Sequence, residues 1–236
     1  MTDAADEHRM NRSFLEAGGL ESIIIRDAPC QRVLTAEERD ASLSAALAER
    51  PEGGDVWLFA YGSLIWNPTV HTVERRIARI EGWHRAFCLA SKAGRGTADR
   101  PGLVLGLDEG GSCEGVALRL AEADVWNELS LLWRREMVTG AYVPRWLDLF
   151  GQDGACFGKA LAFTMDKAHV NYAGDLVIDA VVKVLATASG TLGTAAEYLF
   201  RTRDGLRACG IPDAELERLA EFVEAELALN AASSGL

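Results

Sequence analysis

The chain has 236 residues, of which 49% are apolar and 25% charged, a size and balance that suit one or two domains with a packed core. Its 24 Lys and Arg stand against 35 Asp and Glu, and the formal charge of -11 repels phosphate backbones and anionic headgroups. Nucleic acid and the membrane surface are therefore excluded as expected partners.

The opening stretch MTDAADEHRMNRSFLEAGG carries early acids and no unbroken apolar run, unlike a secretory signal. No apolar run anywhere reaches the roughly 18 residues of a spanning helix. Cysteines at 30, 88, 113, 156 and 209 include no C-x-x-C pair, so they suggest neither a disulfide framework nor a thiolate zinc site. A reducing, cytoplasmic location is expected.

Residues 1–34 read as irregular and mixed. Thr35-Ala36-Glu37-Glu38 forms a capping box that predicts a helix through about Glu49, with Leu43, Ala46 and Leu47 as its apolar stripe. Pro51-Glu52-Gly53-Gly54 ends it and marks a boundary. Residues 1–54 are taken as an N-terminal extension with one helix, and 55–236 as the main domain, C-terminal helices included.

From Asp55 to about residue 166 the chain reads as strands: VWLFA, TVHTVERRIARI, HRAFCLAS, LVLGL, EGVALRL and KALAFTM, punctuated by glycines. One helix interrupts them, Ala121 to about Arg135, with Val125, Leu129, Leu132 and Trp133 at helical spacing. Three more follow, at Asp175–Thr187, Thr194–Arg207 and Asp213–Ala231. The last carries Leu216, Leu219, Phe222 and Val223 as its stripe and is expected to pack as a lid on the barrel. The oligomeric state is open, with a monomer favoured over a zippered dimer. The fold class is α+β: a small closed or half-open mixed β-barrel with flanking helices.

Familiar catalytic signatures are mostly missing. Histidines at 8, 71, 84 and 169 lack metal-ligand spacing, and there is no phosphate-cradling glycine motif and no G-x-S-x-G elbow. No metal site is expected from this spacing. Two segments nevertheless break local rules.

In WLFAYGSLIWNP, residues 57 to 68, an apolar strand runs straight into Tyr61-Gly62-Ser63-Leu64. Such a turn presents consecutive N–H groups suited to a carboxylate or oxyanion, and it equally suits a plain glycine turn between strands. In LLWRREMVTGAYVPRW, residues 131 to 146, Glu136 falls at a helix C-terminus, where the macrodipole opposes a carboxylate. Trp133, Met137 and Val138 surround it with apolar bulk. Both effects raise its pKa above the ordinary value of about 4.3, as an acid/base group at neutral pH requires. Pairing with Arg134 or Arg135 would cancel them, and an exposed Glu in a surface ion pair fits the residues as well.

The same WLFAYGSLIWNP, followed by GWHRAFCLASKAGRGTADRPGLVLGLDEGGSCEGVALRL, LLWRREMVTGAYVPRW, ALAFTMDKAHVNYAG and SGTLGTAAEYLF, resembles the ChaC family of γ-glutamylcyclotransferases over roughly residues 55 to 215. The resemblance implies a γ-glutamylcyclotransferase-like barrel and a cytosolic, cofactor-free lyase. Its reaction would convert glutathione to 5-oxoproline and cysteinylglycine. On the family pattern Leu58, Phe59, Ala60, Tyr61, Gly62, Ser63 and Leu64 hold the γ-glutamyl group, and Glu136 is the acid/base residue. Ala60 departs from the glycine frequent in the family, so its methyl must fit beside the substrate or point away.

That chemistry explains the sparse hardware. The substrate's own α-amine attacks its γ-carbonyl, so the protein supplies positioning, worth roughly 7–11 kcal/mol, one carboxylate for proton transfer and N–H groups for the oxyanion, each about 3 kcal/mol. Tyr142 either touches the substrate or is an ordinary strand tyrosine, and Arg95 and Arg100 either receive its carboxylates or are solvated loop charges. Ser91 either lines the pocket or is a strand-end serine. Cys88 and His84, four apart in a strand, lie roughly 13 Å from each other, so Cys88 is expected in the core rather than as a nucleophile. Trp57, Trp66, Trp126, Trp133 and Trp146 are expected to pack.

Alternatives are a cyclotransferase for γ-glutamyl amino acids or γ-glutamylamines, and a non-catalytic glutathione-binding regulatory module. Residues 75 to 145 hold 11 Lys and Arg against 9 Asp and Glu, a local net of +2 that leaves -13 to the rest of the chain. The acidity thus spares the segment that would meet a small anionic peptide.

Overall fold

The computed structural model describes residues 10–234, so His8 and the rest of the opening stretch lie outside the described residues. Five strands close a barrel: β1 (Trp57–Ala60), β2 (Glu74–Ser91), β3 (Gly102–Arg119), β4 (Tyr142–Phe150) and β5 (Cys156–Met165), in the order β1-β3-β2-β4-β5. Parallel pairing of Trp57 with Ala160 and Leu58 with Leu161 joins β1 to β5 and completes the ring. The α+β class and the small closed barrel are as the strand pattern predicts.

All four β1 residues are buried, which suits an uninterrupted apolar strand flanked on both edges by β3 and β5. The segments TVHTVERRIARI and HRAFCLAS, read as two strands, are largely one. Gly82 at φ 81° produces a bulge between Glu81 and Trp83 rather than a turn, and pairing with β3 resumes beyond it. LVLGL and EGVALRL likewise merge into β3 through Gly110 and Gly111. Strand β4 is not among the strand segments predicted above, although Tyr142 at its start is allowed there as a strand residue. The strand pairs along its length with β5 but meets β2 only at Arg79–Phe150, and such a nearly free edge tolerates Pro144.

Residues 1–34, read as irregular, contain two helices among those described: α1 (Arg12–Glu16) and α2 (Gly19–Asp27), split at Gly18 with φ 71°. Next comes α3 (Ala36–Ala48), whose capping box is formed. The Glu38 N–H donates to Thr35 Oγ1 at 3.2 Å, and the Thr35 N–H donates to Glu38 Oε2 at 2.9 Å. A 3₁₀ turn at Glu122–Asp124 leads into α4 (Val125–Glu136), against which α1, α2 and α3 all pack.

The C-terminal part supplies α5 (Ile178–Thr187), α6 (Ala195–Ala208) and α7 (Ala214–Ser234), with a two-residue ladder, Ser189–Gly190 on Gly193–Thr194, before α6. Helix α7 rests on α5 and α6 rather than on the barrel, which corrects the expected lid. Its start is tied to the barrel by an ion pair between Arg85 and Asp213, with the Arg85 Nε donating to the Tyr61 carbonyl at 2.5 Å.

The core joins the barrel interior to the inner face of α4. Trp133 is 1% exposed, stands edge-on to Phe163 with centroids 5.2 Å apart, and donates from Nε1 to Ser42 Oγ at 3.2 Å. It thereby holds α3 and α4 to the barrel. Trp133→Ala is expected to cost about 3–5 kcal/mol of stability in urea unfolding.

Candidate active site

Strand β1 ends at Ala60, and the chain turns at once through Tyr61-Gly62-Ser63-Leu64. Gly62 suits a close approach there: a Cβ on it would lie 3.2 Å from the Tyr198 hydroxyl, tighter than an ordinary contact. The Gly62 and Ser63 carbonyls accept from the Ile65 and Asn67 N–H groups. The N–H groups of Gly62, Ser63 and Leu64 donate to no acceptor among the described residues, leaving a row of open donors at the end of a rigid strand.

Facing this row is the C-terminus of α4, where Glu136 is the last helical residue. Its side chain is 14% exposed and its Oε1 lies 3.0 Å from Arg135 Nε. Burial pushes its pKa above the ordinary carboxylate value; the charge and hydrogen bond of Arg135 pull the other way and do not reverse it. The arginine partner is present but does not cancel the upward shift, and the carboxylate is not the exposed member of a surface ion pair.

Arg135 does more than pair. Its Nη2 donates to Ser63 Oγ at 2.8 Å, and its Nη1 donates to the Asn67 carbonyl at 2.5 Å and Thr69 Oγ1 at 3.2 Å. One buried guanidinium thus ties the carboxylate to the turn opposite it and to Thr69, whose φ of 58° is strained for a β-branched residue.

Three phenols complete the surroundings. Tyr61 donates to the Phe163 carbonyl and Tyr142 to the Leu105 carbonyl, each at 3.0 Å. Burial first, and then neighbouring acidic groups including Glu136, hold both phenols well above their usual pKa. Tyr198 is raised by burial as well, so all three stay neutral hydrogen-bonding groups.

These residues frame two adjoining hollows. A recess of about 20 Å³ is lined by Tyr61, Gly62, Ser63, Leu64, Glu136, Tyr142 and Tyr198, with Leu105 and Phe163 behind. That is room for about one oxygen atom or water molecule. It shares Ser63, Glu136, Tyr142 and Tyr198 with a cavity of about 200 Å³ that runs outward along Leu89–Arg95 and is bounded elsewhere by Asn171, Leu192 and residues of α2.

Of the residues singled out from sequence, Tyr61, Gly62, Ser63, Leu64, Glu136 and Tyr142 meet at the recess, and Arg95 and Ser91 line the cavity. Leu58, Phe59 and Ala60 lie inside β1, at most 1% exposed, and line neither hollow. Arg95 is held by Glu197 Oε2 at 2.7 Å, and the Ser91 hydroxyl donates to the Ala93 carbonyl at 2.6 Å. Arg100 is exposed on the loop beyond. Cys88 is fully buried against Gly106, its thiol pushed by burial to about 12, and it lines neither hollow.

Sequence reasoning missed Tyr198, Asn171 and the face of α2. Tyr198 lies within SGTLGTAAEYLF, but no spacing in that segment marks it as facing Glu136.

A family model described as "ChaC-like protein" matches residues 56–226. Among curated proteins, the chain is 47% identical over 196 residues to the glutathione-specific γ-glutamylcyclotransferase of Escherichia coli K12, covering 83% of this chain and 84% of that protein. It is 32% identical over 173 residues to human glutathione-specific γ-glutamylcyclotransferase 1, covering 72% and 78%. The fold is similar to the crystal structure of a γ-glutamyl cyclotransferase specific to glutathione from yeast, with a TM-score of 0.67 at 20% identity over 73% of this chain and 97% of that one.

Proposed function

The chain belongs to the ChaC-like family, and from that premise we propose that it is a glutathione-specific γ-glutamylcyclotransferase, a lyase releasing 5-oxoproline and cysteinylglycine. The observation that carries the reading is the meeting of Glu136 with the open N–H row of the Tyr61–Leu64 turn at the inner end of the cavity. We take residues 55–236 as the catalytic domain and 1–54 as an extension, whose helices α1, α2 and α3 pack on α4.

In this reading the γ-glutamyl group lies against the turn with its α-amine near Glu136. The carboxylate takes a proton from the substrate ammonium, and its raised pKa makes it a better base for that purpose. The freed amine attacks the γ-carbonyl carbon, and the oxygen gathers negative charge in the recess, where the N–H groups of Gly62–Leu64 stabilise it. The C–N bond to cysteine then breaks as Glu136 returns its proton to the leaving nitrogen, and the second proton on the attacking nitrogen passes by the same carboxylate to the cysteine amine, which departs as an ammonium. The ring closes as 5-oxoproline and cysteinylglycine departs, so no water is consumed and the carboxyl ends as it began.

The enzyme acts in the cytoplasm as a monomer. Five free thiols suit a reducing compartment, and Leu216, Leu219 and Val223 of α7 are already buried within this chain. Among the described residues, no helix is long and apolar enough to cross a membrane.

Incubation with glutathione is expected to yield 5-oxoproline and cysteinylglycine in equal amounts by mass spectrometry. Cys88→Ala is expected to keep kcat within about twofold, because a buried thiol at about 12 holds almost no thiolate at neutral pH. Glutathione bound without products would overturn the assignment, and loss of turnover in C88A would point to thiol chemistry instead.

A further inference from the structure

The outer part of the cavity is built by residues that precede the matched family region or stand apart from Glu136. Leu20, Ile24 and Ala28 of α2 and the loop after it form an apolar wall. On that loop, Gln31 Oε1 accepts from Asn171 Nδ2 at 2.7 Å, which pins the wall to the segment following β5. Asn171 is 4% exposed and lines the cavity, and its Oδ1 is buried with no hydrogen-bond partner. A native chain rarely leaves such an acceptor open unless a ligand or water fills it.

Four cations line the cavity. Arg95 and Arg201 share the carboxylate of Glu197, at 2.7 and 3.5 Å, and Arg135 is committed to Glu136 and the turn. Lys92 lines the same cavity, and its ammonium has neither ion pair nor hydrogen bond among the described residues. An unpaired cation, an open amide acceptor and an apolar wall match a short peptide ending in a carboxylate.

We propose that Lys92, Asn171 and the α2 wall form the subsite for the leaving half of the substrate, with Lys92 receiving its terminal carboxylate. This rests on the activity proposed above: with the γ-glutamyl group against the Tyr61–Leu64 turn, the cysteinylglycine half extends outward along this cavity. Asn171 Oδ1 accepts the peptide N–H between cysteine and glycine, and the α2 wall covers the cysteine side chain. The N-terminal extension thereby sets which γ-glutamyl compounds are accepted, since a substrate lacking the dipeptide forgoes all three contacts.

Product inhibition separates the two halves of the site. Lys92→Met is expected to raise the glutathione KM and the cysteinylglycine Ki about tenfold, while kcat and the 5-oxoproline Ki stay within about twofold. Ile24→Ala and Gln31→Ala are expected to shift the same two constants about threefold to fivefold. Lys92 is only half-buried, so K92M decides the matter if either wall variant fails to fold. Equal rises in both product Ki values, or no rise for cysteinylglycine, would overturn the subsite and leave the activity standing. A wild-type protein releasing no 5-oxoproline would overturn the activity and the subsite together.

Discussion

Glu136→Gln is expected to lower kcat for 5-oxoproline release by about 10²- to 10⁴-fold while the glutathione Kd, measured by calorimetry, stays within about threefold. The amide keeps the shape of the side chain and still accepts from Arg135 Nε, which is 3.0 Å from the carboxyl in the native protein. It cannot take up the ammonium proton or return it to the leaving amine. Retained turnover would remove Glu136 from its role.

The pH dependence gives an independent check with a definite sign. Burial raises the Glu136 pKa, so the base form is lost as the pH falls through that raised value, and kcat falls with it on the acid side. Stability runs the opposite way. Across the interval from the ordinary carboxylate pKa up to the raised one, the native state binds more protons than the unfolded state, so stability declines as the pH rises. E136Q lacks that titration. Thermal melts are expected to show it at least as stable as wild type above the interval and equal to it below.

How far the sequence reveals this site depends on how local each signal is. The capping box Thr35/Glu38, the Tyr61–Leu64 break and the place of Glu136 at the end of a helix are set by neighbours within a few positions, and each is found where the pattern puts it. Strand β4 was hidden because Pro144 is acceptable only on a nearly free edge, a property of the assembled barrel. The α2 wall was hidden for a similar reason: α1 has five residues, Gly18 splits it from α2, and neither shows its purpose until it packs on α4. The sequence shows an arginine beside Glu136 that is able to pair with it, but the net direction of the pKa shift depends on burial, which only the folded chain sets.

Arg135→Leu is expected to be the most damaging single change, with a stability loss of about 3–5 kcal/mol at neutral pH and a fall in kcat of about 10²-fold or more. The substitution strands a buried carboxylate and at the same time frees Ser63, the Asn67 carbonyl and Thr69 from their common donor. The turn and the base then lose the link that fixes their separation, and a displacement of even an ångström at reacting atoms is costly. Without the arginine's downward pull the Glu136 pKa climbs further, so the acid limb of the kcat profile moves to higher pH. The stability deficit follows the same titration: it is largest where Glu136 must ionise unpaired and shrinks as the pH falls and the carboxyl takes a proton. Arg135→Lys separates charge from geometry. A single ammonium restores part of the acid limb, but it cannot reach Ser63, Asn67, Thr69 and Glu136 at once, so kcat stays low. If R135K instead recovers full turnover, the guanidinium acts only through its charge, and the fork joining base to turn plays no part in catalysis.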